Sequence, residues 1–117
     1  MQLQSLETQE KRKITHLQLI SWTDFGAPEQ EEIGVMDFLL EKMQENQRDC
    51  PESKIVVHCS AGIGRTGTLI ALYNILEAIE ELVSRESTEN PPRVSVFGTV
   101  RRLREQRFQM VITEIQY

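Results

Sequence analysis

The sequence predicts an α/β fold, from two neighbouring segments and the junction between them. Ile55-Val56-Val57 is short, continuous and β-branched, as a strand buried on both faces would be. Residues 65–83 carry Leu69, Ile70, Leu72, Ile75, Leu76, Ile79 and Leu82, apolar around most of a helix near its start. Such a helix expects cover on several sides. The glycine-containing stretch 59–67 joins the two, giving strand, loop and helix in immediate succession.

The other elements follow in order. Residues 2–7 and 12–20 predict two strands around the charged turn Gln9-Glu10-Lys11, the second alternating unevenly through Ile14, His16, Leu17 and Leu19. Trp22-Thr23-Asp24-Phe25-Gly26-Ala27-Pro28 breaks both periods and reads as a loop. A helix over 29–47 follows, because Ile33, Met36, Leu40 and Met43 share one face and Glu29, Glu31 and Glu32 suit its N-terminal dipole. Asp49-Cys50-Pro51-Glu52 ends it. Past the long helix, residues 84–92 are polar and Pro91-Pro92 marks a turn. Val94, Phe97, Val100 and Leu103 then step by three along a third helix. Met110-Val111-Ile112 is apolar again, and Thr113 caps a last helix cut off at Tyr117, so the sequence reads as a truncated domain.

Composition narrows the class. With 117 residues, 39% hydrophobic and 26% charged, the chain has room for one domain and too much apolar content for disorder. Thirteen Lys+Arg against 18 Asp+Glu give a net charge of −5, which argues against sequence-independent binding to nucleic acid. No uncharged apolar run approaches the roughly 20 residues of a membrane span, so no membrane insertion is expected in this segment. The polar N-terminus lacks the apolar centre of a secretory signal. Two cysteines, Cys50 and Cys59, make no disulfide scaffold, as a reducing, cytoplasmic compartment predicts.

The stretch Val57-His58-Cys59-Ser60-Ala61-Gly62-Ile63-Gly64-Arg65-Thr66-Gly67 carries the chemistry. A strand delivers Cys59 to a loop of small residues that runs into a helix N-terminus. The amides of Ser60, Ala61, Gly62, Ile63, Gly64 and Arg65 can then converge on one centre, where the helix dipole adds positive potential. Arg65, six residues after Cys59, can return its planar fork to the same centre and bind two oxygens of a dianion. A thiol in that field is stabilised as thiolate, a nucleophile facing a bound tetrahedral oxyanion. A glycine turn beside a buried free thiol is the bland alternative, and the Cys-to-Arg spacing argues against it.

The run HCSAGIGRTG resembles the signature loop of the protein tyrosine phosphatases, in the form typical of the tyrosine-specific branch. SWTDFGAP is similar to that family's mobile acid loop, LREQRFQMVITEIQY to its late glutamine loop, and ITHLQLISW to the strand before the acid loop. The resemblance implies one partial phosphatase domain over 1–117, its N-terminal half absent, with a central mixed sheet flanked by helices around the strand–phosphate loop–helix core. It implies hydrolysis of phosphotyrosine in proteins through a phosphocysteine intermediate, with no cofactor and no metal. Phosphotyrosine-containing proteins are the implied partners, in the cytoplasm or at the cytoplasmic portion of a longer protein.

By the same resemblance, Cys59 is the nucleophile, Arg65 holds the phosphoryl group, and Asp24 is the general acid and then the base. Thr66 hydrogen-bonds the departing thiolate, His58 supports the loop and lowers the thiol pKa, Trp22 acts at the hinge of the acid loop, and Gln116 helps to position water. Physical chemistry agrees independently on two points: protonating a phenolate leaving group is worth typically ~10²–10⁴-fold, and Gly26 permits the backbone change of a closing loop.

The chain departs from the family pattern at Thr23, where a proline is usual, and at Ile112, where the first late-loop glutamine is usual. An aliphatic Ile112 cannot orient water, so turnover is expected to stall at the second step. An inactive or weak phosphatase-like module that binds phosphotyrosine proteins therefore stands as the alternative, and a dual-specificity phosphatase as a third. Arg101, Arg102, Arg104 and Arg107 read as a solvated helix face with one or two ion pairs, although the resemblance makes Arg104 and Arg107 supports of the late loop. Glu77, Glu80, Glu81, Glu86 and Glu89 read as a solvated acidic face, and His16 and Cys50 as structural. A zinc site from Cys50, His58, Cys59 and His16 is disfavoured, since no CxxC pair exists.

Overall fold

Three helices form where the apolar spacing places them. A computed structural model describes residues 1–84 and 93–117. The element order is strand β1 (Gln2–Gln4), strand β2 (Lys11–Lys13), helix α1 (Ile33–Asp49), helix α2 (Gly64–Ser84) and helix α3 (Val96–Gln106), with short 3-10 turns at Gln30–Glu32 and Glu114–Gln116. The expected Pro91-Pro92 turn, Glu86 and Glu89 lie outside the described residues.

Helix α1 begins later than its acidic lead-in suggests. Glu29 and Glu32 form a capping box, the Glu32 carboxylate accepting from the Glu29 amide at 2.9 Å, and a 3-10 turn precedes the α-helix. Met36, Leu40 and Met43 are buried as expected, whereas Ile33 at the first turn is exposed. Helix α3 starts at an N-cap that the hydrophobic pattern alone does not mark. Ser95 accepts from the Gly98 amide at 3.1 Å. Val100 and Leu103 are buried; Val94 and Phe97 remain exposed.

Helix α2 is apolar on more than one side because two separate clusters flank it. Ala71 packs with Val100, Leu103, Met110 and Val111, against α3 and the segment after it. Leu69, Leu72, Tyr73 and Leu76 pack instead on Trp22, Met36 and Leu40, against the loop at 22–28 and α1. Gln44 ties α1 to α2, its amide donating to Glu77 at 3.0 Å. Ile79 and Val83, further along, stay exposed. No helix among the described residues is long and apolar enough to cross a membrane.

The expected central mixed sheet is not seen among the described residues. Among the described residues the sheet has two strands, β1 and β2, antiparallel with Leu3 opposite Arg12. The strands expected over 2–7 and 12–20 shorten to these three-residue pieces, because the segment from Met1 to Gln4 can pair only as far as Ile14, whose amide donates to the Met1 carbonyl at 2.8 Å. Ile55-Val56-Val57 carries no regular structure, and Val56 is 84% exposed rather than buried on both faces. A strand needs a partner ladder for its amides, and no strand among the described residues lies beside this one. Among the described residues the stretch after Cys59 runs into helix α2, and no strand immediately precedes it.

Candidate active site

The site is built on the turn into α2. Gly62, at φ +71°, takes the left-handed backbone that bends the loop around the Cys59 sulfur. The Gly62 amide donates to that sulfur at 3.2 Å. Burial raises the thiol pKa, but hydrogen bonds from the Thr66 hydroxyl and from the amides of Thr66, Gly62 and Ile63 outweigh it, and Cys59 falls to about 7. The Thr66 hydroxyl is buried without a hydrogen-bond partner of full geometry, yet it lies close enough to the sulfur to favour the thiolate. Alkylation of Cys59 by iodoacetamide is accordingly expected to be half-maximal at about pH 7. Thr66→Ala should move that midpoint upward, and a pH profile at Cys59 identical to that at exposed Cys50 would show that the loop amides do not reach the sulfur.

Arg65, in the first turn of α2, ties that turn to the loop at 22–28. One end of its guanidinium donates to the Trp22 carbonyl at 2.8 Å, and the other forms an ion pair with Asp24. Its Nε is buried with no hydrogen-bond partner, a charged donor pointing at no protein acceptor. Trp22 is 5% exposed and its indole N–H donates to the Gly26 carbonyl at 2.8 Å, closing the loop on itself.

The third component is the segment after α3. Its start is contorted: Gln109 and Val111 both have positive φ, +61° and +62°, unusual for residues with a Cβ and most of all for a β-branched one. Arg104 holds the strained peptides, donating to the carbonyls of Met110 and Val111 at 2.9 and 2.7 Å. Arg107 reaches the Ala61 carbonyl at 3.4 Å, so both arginines brace loops rather than form a plain solvated face. Arg101, by contrast, pairs with Glu105 one turn on. The Gln116 carboxamide accepts from the Ile112 amide at 3.2 Å and donates to the Gly26 carbonyl at 3.1 Å, linking this segment to the loop of Asp24.

The structure thus brings Gly62, Ile63 and Thr66 around the Cys59 sulfur, while the Arg65 guanidinium engages Trp22 and Asp24, and Gln116 joins that loop at the Gly26 carbonyl. Gly64 is buried where a Cβ would meet Gln116 and Ile112 at 3.2 and 3.3 Å, so its smallness admits the late segment. Ser60 and Ala61 sit exposed at the rim. His58 is also exposed; its Nδ1 lies 3.3 Å from the Cys59 carbonyl, on the backbone side of the loop. Two contributors were missed in the sequence. Gly67 lets the Val111 backbone approach, and the Thr113 hydroxyl donates to the Phe25 carbonyl at 3.1 Å. The Gly-x-x-Gly spacing of 64 and 67 on one helix face was the available signal for the first. Among the described residues no group of three or more His, Cys, Asp or Glu could hold a metal ion.

Comparison with known proteins gives a consistent picture. The family model for protein-tyrosine phosphatases matches residues 1–117. Human tyrosine-protein phosphatase non-receptor type 9 is 38% identical over 130 residues, covering 100% of this chain and 20% of the relative. Rat receptor-type tyrosine-protein phosphatase epsilon is 41% identical over 106 residues, covering 91% of this chain and 13% of the relative. Human receptor-type tyrosine-protein phosphatase alpha is 40% identical over 107 residues, covering 92% and 12%. The chain spans about a fifth or less of the length of these relatives.

Proposed function

The chain belongs to the protein-tyrosine phosphatase family, and from that premise we propose that it is part of a domain that hydrolyses phosphotyrosine in proteins through a phosphocysteine intermediate. The Cys59 thiolate attacks phosphorus and forms the S–P bond as the P–O bond to tyrosine breaks. Asp24 gives its proton to the departing phenolate oxygen. The loop amides from Ser60 to Gly64 and the Arg65 fork hold the three non-reacting oxygens as charge redistributes. Water then attacks phosphorus, Asp24 takes its proton, and the thiolate leaves against the Thr66 hydroxyl. Trp22 serves as the hinge of the acid loop and His58 as a brace for the loop backbone. Gln116 helps to position the water.

The observation that supports this reading is a pair of buried donors with no hydrogen-bond partner in the protein, the Arg65 Nε and the Thr66 hydroxyl, in the turn that follows Cys59. A tetrahedral oxyanion beside Cys59 would satisfy the first and share the field of the second. In the complete domain we assign residues 55–57 to a strand of a central mixed sheet, and we place the protein in the cytoplasm or at the cytoplasmic portion of a longer chain, where two free thiols persist.

Ile112, 39% exposed and unable to hydrogen-bond through its side chain, favours one rival reading: a weak or inactive module that retains phosphotyrosine proteins. Rapid-mixing kinetics on the protein at its full natural length separates the two. Hydrolysis predicts a burst of phenol release equal to the Cys59 concentration, followed by slow turnover, and Ile112→Gln is expected to raise the slow phase about tenfold. Tight binding of a phosphotyrosyl peptide with no burst would establish the binding module instead.

A further inference from the structure

The loop at 22–28 turns through Phe25, whose φ of +63° is left-handed backbone in a residue with a Cβ. Such a peptide persists only where its surroundings hold it. The Phe25 ring does not: it is 65% exposed. Hydrogen bonds do. Trp22 Nε1 and Gln116 Nε2 both donate to the Gly26 carbonyl, and the Thr113 hydroxyl donates to the Phe25 carbonyl at 3.1 Å, across 88 residues of chain. Asp24, immediately before this peptide, is itself exposed and reaches Arg65 only through the turn that these contacts fix.

We propose that Thr113 is a positioning residue, the latch that holds the Phe25 peptide and thereby keeps Asp24 turned toward Arg65 and the Cys59 loop. Its bearing on catalysis rests on the reading of Asp24 as proton donor; the latch itself rests on the geometry. A threonine hydroxyl has one proton and two lone pairs, so it can donate to Phe25 while still accepting in the capping box that Thr113 forms with Gln116. Cap and latch are therefore separable by chemistry. Thr113→Val removes both. Thr113→Asp keeps an N-cap acceptor but, ionised, donates nothing. Thr113→Ser keeps both.

Amide exchange measured by mass spectrometry on the protein at its full natural length tests this, with a peptide over 20–28 as the reporter and one inside α2 as the control. Exchange over 20–28 is expected to quicken about tenfold in Thr113→Val and Thr113→Asp, to stay unchanged in Thr113→Ser, and to leave α2 unmoved. With phenyl phosphate, a leaving group of pKa about 10, kcat should fall about tenfold in the first two variants at unchanged KM. Unchanged exchange in Thr113→Val overturns the latch. So does a Thr113→Asp variant that behaves as wild type, which would make Thr113 a cap alone, and so does equal loosening of α2. Quickened exchange over 20–28 with no change in kcat would uphold the latch and remove Asp24 from the role of proton donor.

Discussion

Cys59→Ser is expected to reduce turnover of phosphotyrosyl substrates by about 10⁴-fold or more while leaving their binding nearly intact. The reason lies in what the loop does to a thiol. Burial opposes ionisation of Cys59, and the Thr66 hydroxyl with three amides reverses that, bringing the group to about 7, so a large share is thiolate at neutral pH. The same four donors around a serine hydroxyl cannot bring it near neutrality, and the nucleophile is lost. Arg65 and the loop amides, which supply the proposed grip on the oxyanion, are untouched by the change. Peptide binding by fluorescence anisotropy and initial rates on the same preparation read the two effects separately. Cys50→Ser, on an exposed thiol beyond the end of α1, should leave both at wild-type values. Activity of Cys59→Ser within tenfold of wild type would remove Cys59 from the role of nucleophile.

What the sequence made legible and what it did not divide along a physical line. Helices announce themselves locally: the faces through Met36, Leu40 and Met43 and through Val100 and Leu103 are periodic in sequence and buried in space. The loop at Cys59 is equally local, since its glycines, its thiol and Arg65 lie within one short run. Sheets are not local. Ile55-Val56-Val57 has the composition of an interior strand, yet composition supplies no partner, and the ladder depends on residues elsewhere. The same limit hid Thr113. Read alone it is a helix cap, which it is, but its second bond reaches a carbonyl 88 residues away that no spacing rule connects to it. Arg104 and Arg107 were legible only through resemblance, because an arginine on a helix looks the same whether it faces water or holds a strained carbonyl.

Gly67→Ala is expected to be the most damaging of the small substitutions, at about 3 kcal/mol and roughly 10 °C in melting temperature. Nothing about glycine's flexibility is involved, for Gly67 sits inside α2, where alanine is ordinarily the better residue. The obstacle is space. A Cβ there would lie 2.5 Å from the Val111 amide nitrogen and 3.1 Å from the Met110 carbonyl carbon, and neither is the movable end of a side chain. The late segment would have to lift off α2 as a unit. That lift breaks the bond from the Val111 amide to the Ile63 carbonyl, now 3.0 Å, and uncovers Val111, which is 1% exposed. It also releases the strained peptides that Arg104 holds and draws Gln116 and Thr113 away from Gly26 and Phe25, so stability and acid-loop order should fall together. Gly34→Ala provides the matched comparison. Gly34 lies in α1 with nothing within 4 Å of the added carbon, so the same chemical change there should stabilise by about 0.5–1 kcal/mol. Opposite shifts of the two variants in a thermal melt bear out the close approach of Val111 to α2. A Gly67→Ala protein that melts like Gly34→Ala would mean that the late segment does not pack on α2 at this distance, and the contacts it makes with the acid loop would lose their foundation.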